Sequence, residues 1–284
     1  MNARRSSRYL LFALFAAILL LSACQPAAAT TSPQPTQAPA QQTQPPAQPT
    51  ARPVTVATRT PTEPSGGAPG DIALDYSAVA QDVTVETVPA QPASAGGPPW
   101  EAGPEYRRLT LQGYPVTNHL HKPQIFIYPA GDLAAANENA GQMVTELQAL
   151  LQTQQAGDQL PFLPLFNAAQ VMHAQVEYLD FKSGKGVRFL SQFDQARLPI
   201  NNYELIYTFQ GLTSDGKYYV AAVLPVTNPE LPANSEVSEQ QAKELNDFPS
   251  YVSGMASLLN QQPADSFTPD LSKLDALVGS IEVR

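Results

Sequence analysis

Gly211-x-x-x-x-Gly216-Lys217 falls one residue short of a phosphate-binding loop, because Tyr218 stands where a magnesium-binding hydroxyl belongs. Such a loop must open a helix, so that unpaired N–H groups face the anion. Here Tyr218-Tyr219-Val220-Ala221-Ala222-Val223 has the aromatic and β-branched character of a strand, which turns the glycines into a hairpin connection. Ser214-x-x-Lys217, the spacing of serine acyl-enzymes, overlaps the same turn. Hydroxyl and amine would align only on a helix, and Asp215-Gly216 is turn chemistry. His119 and His121 stand two apart, so on a strand they would share a face as a metal pair could. Zinc wants a third protein ligand, and no acid lies within several residues; the expectation is a solvent-facing loop pair and no metal. His173, beside Met172, reads as a residue covering the core. Asp180, Asp194, Glu204, Asp215, Glu236 and Glu239 are scattered. No spacing among them defines a glycosidase pair or the alternating oxygen ligands of a calcium loop.

The aromatic residues are the better binding candidates. Tyr203, Tyr207 and Phe209 share one parity, while Tyr218 and Tyr219 point to opposite faces of the following strand. Paired across a hairpin, some of these five would form an aromatic ladder. Its plain reading is core packing; its functional reading is a patch open to a sugar, a peptide or a protein.

One further side chain has a chemistry of its own. Cys24 is the only cysteine, and it follows Leu21-Ser22-Ala23. Upstream stand Arg4, Arg5 and Arg8, then an apolar run over residues 9–21. That run holds about 13 residues, against the roughly 20 that cross a bilayer as a helix, so it has the length of a signal segment. Leu21-Ser22-Ala23-Cys24 resembles the bacterial lipobox, which implies cleavage before Cys24 and a diacylglyceryl group on its thiol. A lone thiol in an exported chain is otherwise a liability. Residues 1–23 are thus expected as a signal peptide and Cys24 as a lipid anchor at the extracytoplasmic face of the cell membrane.

Residues 24–70 are Pro, Thr, Ala and Gln with a little Ser and Gly, without an aromatic residue, and charged only at Arg52, Arg59 and Glu63. Such a segment cannot bury enough apolar surface to offset its conformational entropy. The prolines bias it toward extended geometry, giving a spacer of up to about 140 Å contour. Loss of the three leading arginines leaves 13 basic against 25 acidic residues, a balance that argues against nucleic acid and against a polybasic hold on anionic lipid.

Residues 71–284 are long enough for one domain with a substantial core. Residues 72–76 and 83–88 read as a short strand pair. A Pro/Gly-rich loop over residues 89–104 holds the single Trp100, and strands follow at 108–111 and 124–128. Leu133, Ala136, Ala140, Met143, Val144, Leu147 and Leu151 then recur at helical spacing, with Asp132 as expected N-cap. After Pro161 and Pro164 comes a meander: strands at 175–181, 187–190, 204–210 and 217–225, joined by Gly-bearing turns. Ser238-x-x-Gln241 matches a capping box, Pro249 interrupts or restarts its helix, and Thr268-Pro269 is expected to open the last one. The result is an α+β domain, an antiparallel sheet with helices packed on it.

Strand pair, helix, meander and a final Leu271-x-x-Leu274-x-x-Leu277-Val278-x-Ser280-Ile281 together resemble the PsbP-like α/β/α sandwich. That family is named for an extrinsic photosystem II subunit and has bacterial lipoprotein relatives; the resemblance implies a docking protein without catalytic activity. The sequence therefore points to a membrane-anchored binding or accessory protein that needs no cofactor and meets a protein or cell-envelope partner. The rival readings are a solute receptor beside a transporter and a hydrolase directed at cell-wall glycans.

Overall fold

The computed structural model describes residues 71–94, 97–98 and 100–284. Cys24 and the leader and spacer expected over residues 1–70 lie outside the described residues. The elements in chain order are β1 (Ile72–Ala73), β2 (Asp82–Val88), β3 (Tyr106–Gln112), β4 (Gln124–Pro129), α1 (Ala130–Ala136), α2 (Glu138–Thr153), β5 (Ala169–Phe181), β6 (Gly184–Asp194), β7 (Ile206–Thr213) and β8 (Tyr218–Pro225). The chain ends in α3 (Glu239–Glu244), α4 (Phe248–Asn260), α5 (Leu271–Gly279) and β9 (Glu282–Val283). Seven strands form one antiparallel sheet in the order β2-β3-β4-β8-β7-β6-β5, so the fold is α+β.

The central strands read as near-continuous apolar runs because both of their faces are covered. On one face Ile125, Ile127, Leu190, Phe209, Val220 and Leu224 pack under Leu259 of α4 and Leu271, Leu274, Leu277 and Val278 of α5. On the other, Phe126, Val187, Phe189, Ile206, Ala221 and Val223 pack under Leu133 of α1 and Val144, Leu147 and Leu151 of α2. Gln210 and Thr208 are buried polar residues on this second face, and the Gln210 amide donates to the Thr208 hydroxyl at 2.7 Å. The same amide bonds both backbone groups of Leu163 (2.9 and 3.1 Å) and receives the Tyr219 hydroxyl at 2.7 Å, so the buried amide is paired.

Several boundaries differ from the sequence-based expectation. The first strand pairs with the last, not the second: Ile72 lies opposite Val283 and Ala73 opposite Glu282. The helical pattern is broken at Asn137, whose side chain accepts from Ala140 N and caps α2; Asp132 sits inside α1 instead of capping it. The final helix is capped by Asp270 through Ser272 N, two residues after the expected Thr268. The capping box at Ser238 and Gln241 is present, and Pro249 opens α4. Among the described residues no helix is long and apolar enough to cross a membrane.

Candidate functional site

The residues that resembled a phosphate loop form the β7–β8 turn. Gly216 has φ +71°, a conformation that favours glycine, and Lys217 N–H donates to Asp215 at 3.1 Å. Hydrogen bonding by the Thr213 hydroxyl and then the Lys217 N–H lowers the Asp215 carboxyl to about 2. Ser214 and Lys217 belong to this exposed turn, with no helix to align them.

The expected aromatic ladder is absent. Tyr207 and Phe209 are fully enclosed on the α5 side of the sheet and Tyr219 on the α2 side, so none of the three presents a ring to a ligand. Across the strands Tyr207 meets Leu224, Phe209 meets Ala222 and Tyr219 meets Leu212. Tyr203 lies before β7 and Tyr218 at the start of β8, both half-buried. Packing took precedence because β7 and β8 are interior strands with helices over both faces.

His119 and His121 lie in the loop between β3 and β4 and are half-buried, not solvent-facing. His119 Nε2 faces the Leu205 carbonyl at 2.9 Å, which requires an N–H there; its Nδ1 accepts the His121 backbone N–H at 3.0 Å. Both ring nitrogens of His119 are therefore engaged, which removes it as a metal ligand. The His121 ring stacks on Phe166 with centroids 4.9 Å apart. Burial, with a smaller contribution from His119, depresses His121 to about 4, and burial also lowers His119 and His173. No group of three potential metal ligands occurs among the described residues.

The fold does bring two of the scattered carboxylates together. Gln192 Nε2 donates to Asp194 at 2.6 Å and faces Glu204 at 3.1 Å, while Asn201 donates to Glu204 at 2.7 Å. Burial raises both carboxyls, and the Asp194 charge raises Glu204 further. These acids come from the end of β6 and the approach to β7, ten residues apart, and no local spacing signals their meeting. One oxygen of each accepts from buried amides, Asp194 Oδ2 from Gln192 and Glu204 Oε2 from both Gln192 and Asn201, which ties β6 to the approach to β7. Asp180, Glu236 and Glu239 are exposed and apart from it.

The concave site lies elsewhere. Between β2 and β3 the described residues 89–94, 97–98 and 100–104 lie outside the sheet, and paired Gln91–Gly103 backbone bonds of 2.9 Å each join the two limbs of this arm. Asn137 Nδ2 donates to the Ala102 carbonyl at 3.0 Å, so the residue that caps α2 also ties down this arm. Beneath the arm is a cleft of about 180 Å³ lined by Trp100, Tyr106, Tyr128, Gln91, Glu101 and Leu165, among others. Tyr106 and Tyr128 stand side by side on β3 and β4, centroids 4.7 Å apart, and Trp100 is 41% exposed. Burial raises both phenols, so their hydroxyls stay protonated near neutral pH. A second hollow of about 410 Å³ adjoins it along Gln91, Gly103 and Pro104 and reaches Asp132 and Ala136 of α1. In the sequence, only the lone tryptophan in a Pro/Gly-rich stretch without apolar periodicity signalled this place; its tyrosine neighbours were hidden in strand patterns.

A scan of protein-family models and searches of curated proteins and solved structures return no match to this chain.

Proposed function

We propose that the chain is a lipid-anchored extracytoplasmic binding protein, held to the membrane through Cys24 and meeting its ligand at the Trp100 cleft. The observation that carries the binding assignment is Trp100, a large aromatic ring left 41% exposed beside a hollow with two tyrosines. The anchor rests on Leu21-Ser22-Ala23-Cys24 behind a basic and then apolar leader, and the proline-rich stretch after it supplies reach. A non-catalytic role is favoured because Asp194 and Glu204 are bonded to buried amides and do not line the cleft. Docking is favoured over enclosure of a solute between lobes, since the cleft is lined from β3, β4, α1, α2 and loops around one sheet. The layer order, helices on both sheet faces, also suits the PsbP-like resemblance.

The anchor is tested by Cys24→Ser in cells fed a labelled fatty acid. The variant is expected to lose the label and leave the membrane fraction. Retention at wild-type level without label would refute anchoring through this residue.

A further inference from the structure

Resting on the assignment of the cleft as the binding site, we infer that it takes one ring of a neutral or amino-bearing saccharide, with the longer glycan continuing along the adjoining hollow. A pyranose has a face of C–H bonds and a rim of hydroxyls, so it needs an aromatic platform and polar groups at the edge together. The cleft supplies both: exposed Trp100 and half-buried Tyr106 for the face, with buried Tyr128 backing Tyr106, and Gln91 and Glu101 for the rim. Its size of about 180 Å³ is well below the roughly 300 Å³ at which pockets begin to enclose drug-sized ligands, so it admits about one ring. The second hollow shares Gln91, Gly103 and Pro104 with the first and is more open, which leaves room for a chain to run on.

Charge narrows the class. Among the described residues, the charged side chains lining the two hollows are Glu101 and Asp132, with no Lys, Arg or His. Arg108 is on the same strand as Tyr106, but it is bonded to Glu86 at 2.5 Å and lines neither hollow. Uronic, sulfated or phosphorylated sugars would meet two carboxylates and no counter-charge. A proline-rich peptide could use the aromatic rings but would leave the polar rim without partners.

Trp100 is the chain's single tryptophan, so the emission of the full chain in detergent reports on this cleft. The titration uses neutral β-linked glucose oligosaccharides, then oligomers of glucosamine and of N-acetylglucosamine. A saturable change in Trp100 emission is expected with at least one series. Tyr106→Ala should weaken it about tenfold, the scale of one lost aromatic contact. Gln91→Ala should also weaken it; this side chain is exposed, so the thermal midpoint should not move, and the variant decides the matter if Tyr106→Ala folds poorly. Two comparison probes are a proline-rich peptide and a sulfated oligosaccharide. A saturable response to either probe and to no neutral or amino sugar would overturn the saccharide assignment while leaving the cleft a binding site. Silence of Trp100 toward every probe would overturn the cleft itself, whatever the result at Cys24.

Discussion

Arg188 is a buried charge with three partners, its side chain only 5% exposed. It bonds the Gln175 carbonyl, meets Glu177 at 2.5 Å and lies 3.3 Å from Asp275, which in turn accepts the Tyr207 hydroxyl at 2.9 Å. Burial raises Asp275, and Arg188 offsets part of that rise. Removing the arginine strands the half-buried carboxylate of Asp275 and the Gln175 carbonyl. Arg188→Leu should therefore cost about 3 kcal/mol in urea unfolding, and Asp275→Asn distinctly less, since Arg188 keeps its other partners. The histidines make a second residue-scale statement. His121 falls from 6.5 to about 4, so the fold holds it neutral. Its contribution is whole above pH 6.5 and is lost as pH falls through about 4. Asp194 and Glu204, whose carboxyls are raised, act in the opposite sense over the acid range. Comparing wild type with His121→Phe, which keeps the stack on Phe166, isolates the histidine. The variant should lose about 2 kcal/mol less than wild type between pH 7 and pH 4. Equal losses would mean that His121 is not held neutral.

At the scale of elements, two glycines make opposite demands. At Gly186 in β6 an added Cβ would come within 2.4 Å of the Phe209 ring and 2.6 Å of the Gln210 carbonyl oxygen. The same ring crowds Gly211 across the strand pair, so Phe209 lies over two glycines and fills the space their missing side chains leave. At Gly216 nothing lies within 4 Å of an added Cβ, and only the positive φ resists substitution. Gly186→Ala is accordingly expected to cost about 2 kcal/mol or more through overpacking, and Gly216→Ala about 1 kcal/mol through backbone strain, both read from chemical unfolding. The reverse order would mean that Phe209 gives way easily. Strands, turns and caps with local causes were legible: the Asp215-Gly216 turn, the Ser238 capping box and the Pro249 helix start all act within four residues. The break at Asn137 was not, because the apolar spacing runs through it and the capping side chain is fixed partly by Ala102, 35 residues earlier.

The whole domain depends on one sheet that serves two cores. Leu147 on one face and Leu274 on the other are both fully buried or nearly so, and neither touches the cluster of the other. Because the same strands support both, Leu147→Ala and Leu274→Ala should each cost roughly 2–5 kcal/mol and move a single unfolding transition. Far- and near-ultraviolet circular dichroism should give coincident curves; separated curves would mean that the two faces unfold independently. The ends of the described chain close on each other, since Arg284 N–H donates to Asp71 O at 3.0 Å and Ser183 of the β5–β6 turn bonds both backbone groups of Val283.

By itself the sequence determined what rests on neighbours: the α+β class and the meander with its turns. Those signals are periodicities and short motifs, whose causes lie within a few residues of their effects. Tertiary structure alone decided which aromatic rings meet solvent. Strand parity left Tyr207, Phe209 and Tyr219 as either core or an open patch, and helices on the two sheet faces close over them. Trp100 is exposed at the cleft that Tyr106 also lines, because the chain around Ala102 lies outside the sheet and is pinned by Asn137. Parity says which residues share a face; only the packing of distant segments says whether that face is covered.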